Sequence, residues 1–405
     1  MFTPVILGTD ANAYGVARSF HKEYGKTSYC FGRKPLLYTR DSKIVNVHVD
    51  PNFEDNEIFL KTLIDFAKER PGDKLLLISC SDGYTSLITK NSEVLKEYYL
   101  FNYVDSSMQK LLENKEDFYN ICEKENLPYP KTYIIDKNMY ETGEISLPFS
   151  FPIALKANDS IEFVHLHFEG KKKAYKIDSE DEFNLELKRI YDAGYSGDMI
   201  AQEFIEGGPE NMAVLNAYVD KNGKVKMMCL GRCLLDAVLP EEIGNYDFLY
   251  TDSDENLYET YGKFLESIGY RGFANFDLKY DNKTKTYKAF EINIRQGRSS
   301  YYMTAGGCNF VKFLVEDLVL NLDKDPYYHS GCDKVWLYVD PWVAKKYVAE
   351  DKRVFASRLL RRGFEFTQWY EKDRNLKRFL AYMRARLSSI KTYWRYKKWI
   401  ENRRL

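Results

Sequence analysis

Two stretches, Phe273-Ala274-Asn275-Phe276-Asp277-Leu278-Lys279-Tyr280 and Phe290-Glu291-Ile292-Asn293-Ile294-Arg295-Gln296-Gly297-Arg298, hold side chains suited to phosphoryl chemistry. Both alternate apolar and polar residues, and the turn-rich Asp281-Asn282-Lys283 lies between them, which predicts an antiparallel hairpin. With the loop centred on Thr284, Asp277 is expected across from Glu291, and Phe276, Leu278, Phe290 and Ile292 on the buried face. Opposed carboxylates destabilise a sheet unless a cation bridges them. Asn293 adds a neutral oxygen on the Glu291 face, and Arg295 and Arg298 follow at once. Such oxygens beside guanidinium groups suit Mg²⁺ shared with substrate phosphates. A hairpin with a merely solvated acidic face has no use for Asn-x-Arg-x-x-Arg directly behind it.

Lysines repeat the theme. Lys156 ends the apolar run Pro152-Ile153-Ala154-Leu155, and an ammonium at a strand end is well placed to meet a phosphate. Lys115 follows the expected helix Met108 to Leu112. Backbone groups of residues 203 to 205, after Gln202, are placed to read the edge of a base. Arg298 with the hydroxyls of Ser299 and Ser300 suits a carboxylate, which a guanidinium binds bidentately. Asp10 and Asp82 sit in turns that end apolar strands and are candidates for a substrate amine.

The elements that must position these groups follow from patterning. Val5-Ile6-Leu7 breaks at Gly8-Thr9-Asp10, and Leu75-Leu76-Leu77-Ile78 breaks at Ser79-Cys80-Ser81-Asp82-Gly83, each before a helical stretch. That is the pattern of a parallel α/β layer with ligands at the carboxyl ends of its strands. Neither turn has a G-x-G-x-x-G or G-x-x-x-x-G-K-[ST] loop. After the N-cap cluster Asp105-Ser106-Ser107 and the rigid Pro128-Tyr129-Pro130, strands are expected at Thr132 to Ile135, Pro152 to Lys156, Met199 to Phe204, Ala213 to Val219 and Val225 to Leu230, with a helix near Asp181 to Ala193. Strands grouped this way indicate α+β rather than a continued doubly wound sheet.

Composition excludes several classes. The 405 residues carry 59 Lys plus Arg against 60 Asp plus Glu, too balanced for a strongly basic nucleic-acid binder. No apolar run approaches the roughly 20 residues of a membrane span. The start lacks a cationic segment, and Pro4 to Gly8 is too short for a signal sequence, so the expected location is cytoplasmic. Seven cysteines without a C-x-x-C pair argue against structural zinc or a disulfide framework. His165 and His167 alternate as on one face of a strand and read as ordinary strand residues. From Asp351 onward, 17 Lys and Arg stand against 5 Asp and Glu. There Leu376, Leu380, Met383, Leu387, Ile390 and Trp394 form one seam of a helix, expected to pack on the body of the protein or a partner helix, with peripheral contact with the inner membrane face as the alternative.

Taken in order, Asn114-Lys115, Leu127-Pro128-Tyr129-Pro130-Lys131-Thr132, Phe151 to Lys156, Gln202-Glu203-Phe204-Ile205-Glu206-Gly207, Asp277 and Glu291-x-Asn293-x-Arg295 resemble the ATP-grasp superfamily over about residues 105 to 325. The resemblance implies an α/β then α+β chain: a Rossmann-like preATP-grasp domain at 1–105, an ATP-grasp domain at 106–325 with a lid at about 130–205, and a basic helical C-terminal region at 326–405. It implies that Lys115, Lys156, Gln202, Glu203, Phe204, Ile205 and Glu210 bind ATP, with 203 to 205 as the adenine hinge. Asp277, Glu291 and Asn293 are then the Mg²⁺ ligands. Ala157 departs from the usual Pro, and Asn158 to Glu162 lacks the glycines of many phosphate-covering loops.

A longer likeness, through Leu7 to Phe20, Ser42 to Val47, Val214 to Asp220 and Gln296-Gly297-Arg298-Ser299-Ser300, is to the D-aspartate ligases of peptidoglycan synthesis. It implies ATP-dependent activation of D-aspartate as an acyl phosphate, with Arg295 and the lysines neutralising charge, and transfer to a lysine amine of a cell-wall precursor. Arg298, Ser299, Ser300, Asp10 and Asp82 are the expected substrate residues. Two readings stay open beside it: the same chemistry on another amino acid or amine, and a nucleotide-binding interaction protein working through its basic C-terminal helix.

Overall fold

The computed structural model describes residues 2–158, 160–172, 174–239, 242 and 244–396. By packing, the chain forms two compact units: Met1–Glu113 with Gly208–Leu278 and Ile292–Leu405, and Asn114–Gly207 with Lys279–Glu291.

In the larger unit, Val5, Leu7, Leu75 and Leu77 bury one face of a parallel sheet, and Ile6, Leu76 and Ile78 bury the other. Burial of both faces is why these strands are continuously apolar. The strand order is Val45–Val49, Ser28–Gly32, Phe2–Leu7, Lys74–Ser79, Tyr99–Leu100, with every pairing parallel. Helices follow the two strands whose turns the sequence singled out. Asp10 caps Ala11–Tyr24 and Ser81 caps Asp82–Lys90, each side chain accepting a backbone N–H.

The other large sheet has eight strands among the described residues. Its order runs Thr286–Asn293, Gly272–Asp281, Met212–Val219, Val225–Asp236, Tyr246–Asp252, Val335–Leu337, Phe364–Phe366, and Tyr327–Tyr328 pairs with Val225–Asp236. A backbone bridge ties Gly272 to Tyr103; any Cβ at Gly272 would lie 2.2 Å from the Asn102 carbonyl oxygen, and its φ is +86°. Only glycine tolerates both conditions.

The smaller unit holds an antiparallel sheet in the order Thr132–Ile135, Met199–Glu203, Ile153–Ala157, Tyr175–Ile177. Helix Glu180–Asp192 covers it with Phe183, Leu187 and Ile190 against Ile153, Leu155 and Ile177.

Several expectations change. His165 ends a short helix, Ser160–His165, and His167 lies in the following loop, so they share no strand face. A two-residue alternation is too short to distinguish strand from helix end. The same helix occupies most of the stretch 158–162 expected as a loop. Lys115 follows the helix Ser106–Glu113, as expected, and also opens the next helix, Lys115–Lys124, with Asn114 as its cap. The C-terminal helix Leu376–Arg395 forms, yet Leu376, Leu380, Leu387 and Trp394 are 58–72% exposed. It packs instead through Tyr382 and Tyr393, with Met383 and Ile390 at the margin. Tyrosines, half apolar and half polar, won the buried face from the aliphatic seam.

Candidate active site

The loop after the hairpin is anchored where the first sheet's strands end. Gln296, fully buried, donates from Nε2 to the Ser79 carbonyl at 2.7 Å, and Asn12 donates to the Cys80 carbonyl at 3.1 Å. The Ser300 hydroxyl donates to Asn12 Oδ1 at 3.4 Å. Sequence reading passed over Asn12 and Gln296, which look like ordinary polar residues until burial shows them stitching residues 296–300 to the strand ends.

That anchoring sets the two arginines. Arg295 Nη2 donates to Asp82 Oδ2 at 2.7 Å, and Nε lies 2.7 Å from Oδ1 but out of line for a hydrogen bond. Burial works against the Arg295 charge, and Asp82 outweighs it, raising the guanidinium's affinity for its proton. Asp82, expected to meet a substrate amine, is therefore engaged by a residue expected to meet phosphate. Arg298 lies over the Tyr338 ring, 4.4 Å from its centroid, with Glu242 at 3.9 Å. Burial raises the Asp10 carboxyl above the usual range even though the Ala13 N–H and the charges of Arg295 and Arg298 pull it down. Ser299 and Ser300 are buried.

Asp277 Oδ1 accepts the Tyr246 hydroxyl at 2.9 Å. The Asn293 amide nitrogen donates to Asn275 Oδ1 at 3.2 Å, which turns the Asn293 amide oxygen away from Asn275. Glu210, in the 3₁₀ turn Pro209–Asn211, accepts the Gly208 N–H at 3.2 Å. Among the described residues, no group of three or more His, Cys, Asp or Glu side chains is placed to hold a metal. The set in the larger unit is mixed carboxylate and amide oxygen, a donor set that suits Mg²⁺ rather than zinc.

In the smaller unit, Lys156 Nζ donates to Gln202 Oε1 at 3.2 Å, and Gln202 Nε2 donates to the Thr132 hydroxyl at 2.8 Å. Gln202 is buried and thus fixes the height of the lysine. Lys288, missed in the sequence, is buried between Glu203 at 2.8 Å and Asp281 at 3.1 Å. Burial disfavours the Asp281 charge, but the Lys283 N–H, the Thr284 hydroxyl and Lys288 outweigh it and hold the carboxyl below its usual range. The Phe204 ring has Lys176 at 5.5 Å and Lys279 at 5.4 Å, and Ile205 is buried beside it in sequence. Lys115 is half-buried in the first turn of its helix, and Glu291 is exposed.

No protein-family model matches the chain. It is 45% identical over 390 residues to a D-aspartate ligase of Enterococcus faecium (strain Aus0004), covering 94% of this chain and 93% of that one. It is 22% identical to the carbamoyl phosphate synthase large chain of Clostridium acetobutylicum, over 73% of this chain and 28% of that one. Among solved structures, it resembles the biotin carboxylase domain of 2-oxoglutarate carboxylase from Hydrogenobacter thermophilus (TM-score 0.59, 16% identity, 83% of this chain and 73% of that one). It also resembles an L-amino acid ligase from Bacillus licheniformis (TM-score 0.55, 14% identity, 79% and 74%). The fold is that of the ATP-grasp superfamily, an α/β region followed by an α+β region, as the order of motifs led us to expect.

Proposed function

The chain belongs to the D-aspartate ligase family, and from that premise we propose that it joins D-aspartate to the lysine side-chain amine of a cell-wall precursor, a UDP-N-acetylmuramoyl pentapeptide. It is an ATP-dependent, ADP-forming carboxylate–amine ligase. The observation that carries the substrate reading is the charge pattern of Asp10 and Arg298: a half-buried carboxylate for an ammonium, and a guanidinium whose ion pair with Glu242 is stretched to 3.9 Å. Opposite charges within electrostatic reach of one another complement an amino acid that bears a carboxylate beyond the one being activated.

In this reading, residues 106–325 form the ATP-grasp domain, with the lid at about 130–205, after an N-terminal domain at 1–105. Lys156, set by Gln202, and Lys115 neutralise ATP phosphates, and the backbone of 203 to 205 takes the adenine edge. A lysine in the first turn of a helix works against the helix dipole, a cost that a bound anion offsets. Glu210 completes the nucleotide residues. Asp277, Glu291 and Asn293 would hold Mg²⁺; the Asn293 amide oxygen is already turned out by its bond to Asn275. When bound, Mg²⁺ would supply charge neutralisation as the D-aspartate carboxylate attacks the γ-phosphoryl group. Arg295, held by Asp82, keeps a fixed positive charge near the reacting carboxylate, and Arg298 with Ser299 and Ser300 holds the other. The acyl phosphate that results is attacked by the amine.

The exposed apolar seam of helix Leu376–Arg395 supports a second, peripheral partner. Lys377, Arg384 and Lys391 lie beside Leu376, Leu380, Leu387 and Trp394 at helical spacing, the pattern of a helix that lies in an anionic bilayer surface. Among the described residues no helix is long and apolar enough to cross a membrane. The cell-wall-precursor reading, with this helix, places the enzyme in the cytoplasm at the inner membrane face.

The test of substrate choice is competition between D-aspartate, L-aspartate and D-alanine with a lysine-containing pentapeptide as acceptor. D-alanine leaves the Arg298 guanidinium unmatched, so wild type should prefer D-aspartate by about 100-fold or more. Arg298→Ala should lose most of that preference. Equal use of D-alanine and D-aspartate by wild type removes the assignment.

A further inference from the structure

Within the larger unit, a cavity of about 180 Å³ lies beneath the C-terminal helix. Pockets that hold whole drug-sized ligands run to roughly 300–1,000 Å³, so this one has room for a side chain and not for a nucleotide. Leu337, Val339 and Phe366 give it apolar wall, and Glu242, Asp247 and Tyr338 give it polar wall. Its cation is already used: Arg386 holds Asp340 through Nε and Nη2, both at 2.6 Å. Glu242 faces Arg298 at 3.9 Å. Asp247 is buried, and its Oδ2 accepts the Tyr393 hydroxyl at 2.6 Å. The Asp236 carbonyl oxygen lies 2.8 Å from the same hydroxyl oxygen and competes for its single proton, and the Tyr393–Asp247 contact ties helix Leu376–Arg395 to this carboxylate.

The cavity adjoins the amino-acid site through two walls. Tyr338 carries Arg298 on its ring face, and its hydroxyl accepts that of Tyr38 at 2.8 Å. Glu242 is the acidic neighbour of the same arginine. An aliphatic chain ending in an amine matches an apolar slot with a carboxylate in its wall. We propose that this cavity is the slot for the acceptor's aminoalkyl side chain, and that Asp247 takes the proton the amine must lose before it attacks. The inference rests on the ligase reading above and deepens it.

The step balances as follows. The acceptor ammonium gives one proton to the Asp247 carboxylate, and the neutral nitrogen forms a C–N bond to the acyl carbon. The bond from that carbon to the phosphate oxygen breaks, and phosphate leaves with the second nitrogen proton. Asp247 then returns its proton to water. An alkylamine whose ammonium has a pKa near 10.4 is almost wholly protonated at neutral pH, so a base is needed. Burial pushes the Asp247 carboxyl up to about 7, opposed by the Tyr393 hydroxyl and Arg298 and reinforced by Glu242 and Asp236. A base is most effective when its own titration lies near the working pH.

Hydroxylamine separates this step from activation, because it is small, neutral at pH 7 and captures acyl phosphates without a base. Formation of D-aspartyl hydroxamate by wild type tests the ligase reading; its absence overturns that reading and this inference with it. The ratio of precursor amide to hydroxamate, measured with both nucleophiles present, tests the slot alone. Asp247→Asn should lower the ratio at least tenfold and remove the rise of the amide rate around pH 7. Ala385→Trp, which fills the cavity from the helix, should raise the KM for the precursor at least tenfold relative to that for hydroxylamine. If Asp247→Asn does not fold, Ala385→Trp decides. A wild-type ratio and pH profile in folded Asp247→Asn, or an unchanged precursor KM in Ala385→Trp, overturns the proposal.

Discussion

Arg295 reaches back 213 residues to Asp82, Nη2 to Oδ2 at 2.7 Å, joining the end of the chemistry-bearing hairpin to the first turn of the helix Asp82–Lys90. Asp82 is more than half exposed and Arg295 is nearly buried, so the carboxylate orients the guanidinium rather than the reverse. Asp82→Asn should reduce kcat/KM by about 10- to 150-fold, the scale of one charge-assisted hydrogen bond at 1.5–3 kcal/mol. The thermal midpoint should barely move. Steady-state kinetics beside a melting curve check this, and unchanged kinetics would leave the pair without a role.

Asp10 offers a sign test. Its carboxyl is raised by burial, so ionisation costs stability once pH exceeds the unfolded value of about 3.9, increasingly up to the folded value. Asn also caps helices well and has no charge to bury. Asp10→Asn should therefore melt higher than wild type at pH 7 and as wild type near pH 3, while losing D-aspartate binding. A lower midpoint at pH 7 would contradict the burial argument.

Lys288 neutralises Glu203 and Asp281 together. Lys288→Met leaves two carboxylates without their buried partner and should cost about 3–5 kcal/mol in urea unfolding. Because Asp281 is held below its usual range, its contribution is complete above about pH 4 and is lost as pH falls through its folded value. The variant should lose the share of that acid dependence that Lys288 supplies, while the Lys283 N–H and the Thr284 hydroxyl keep the rest. Wild-type stability in Lys288→Met would show the cluster to be incidental.

The legible parts of this chain were those fixed by local pattern. Apolar runs ending at Asp10 and Asp82 announced parallel strands, and alternation announced the hairpin that carries Asp277, Glu291 and Asn293. Lys288 was hidden because alternation marks a side chain's face and not what meets it there: its partners Glu203 and Asp281 come from elsewhere in the chain. Asn12 and Gln296 were hidden for the same reason. The seam Leu376 to Trp394 gave the helix correctly and its buried face incorrectly, since periodicity counts aliphatic residues and Tyr382 and Tyr393 bury more area than they appear to offer.

That exposed seam yields a binding prediction. The protein should sediment with anionic vesicles at low salt and be released at high salt, as surface charges are screened. Leu380→Glu with Leu387→Glu should abolish sedimentation without changing turnover of a soluble acceptor. No binding of wild type at low salt would exclude a membrane role for the helix.

The most direct measurement is a mass spectrum of the product made from ATP, D-aspartate and the lysine-containing UDP-N-acetylmuramoyl pentapeptide. The expected product is heavier by one aspartyl residue, with fragmentation placing it on the lysine side chain and one ADP formed per amide. A product of unchanged mass, with ADP release indifferent to D-aspartate, would contradict the assignment of this chain as a D-aspartate-activating ligase.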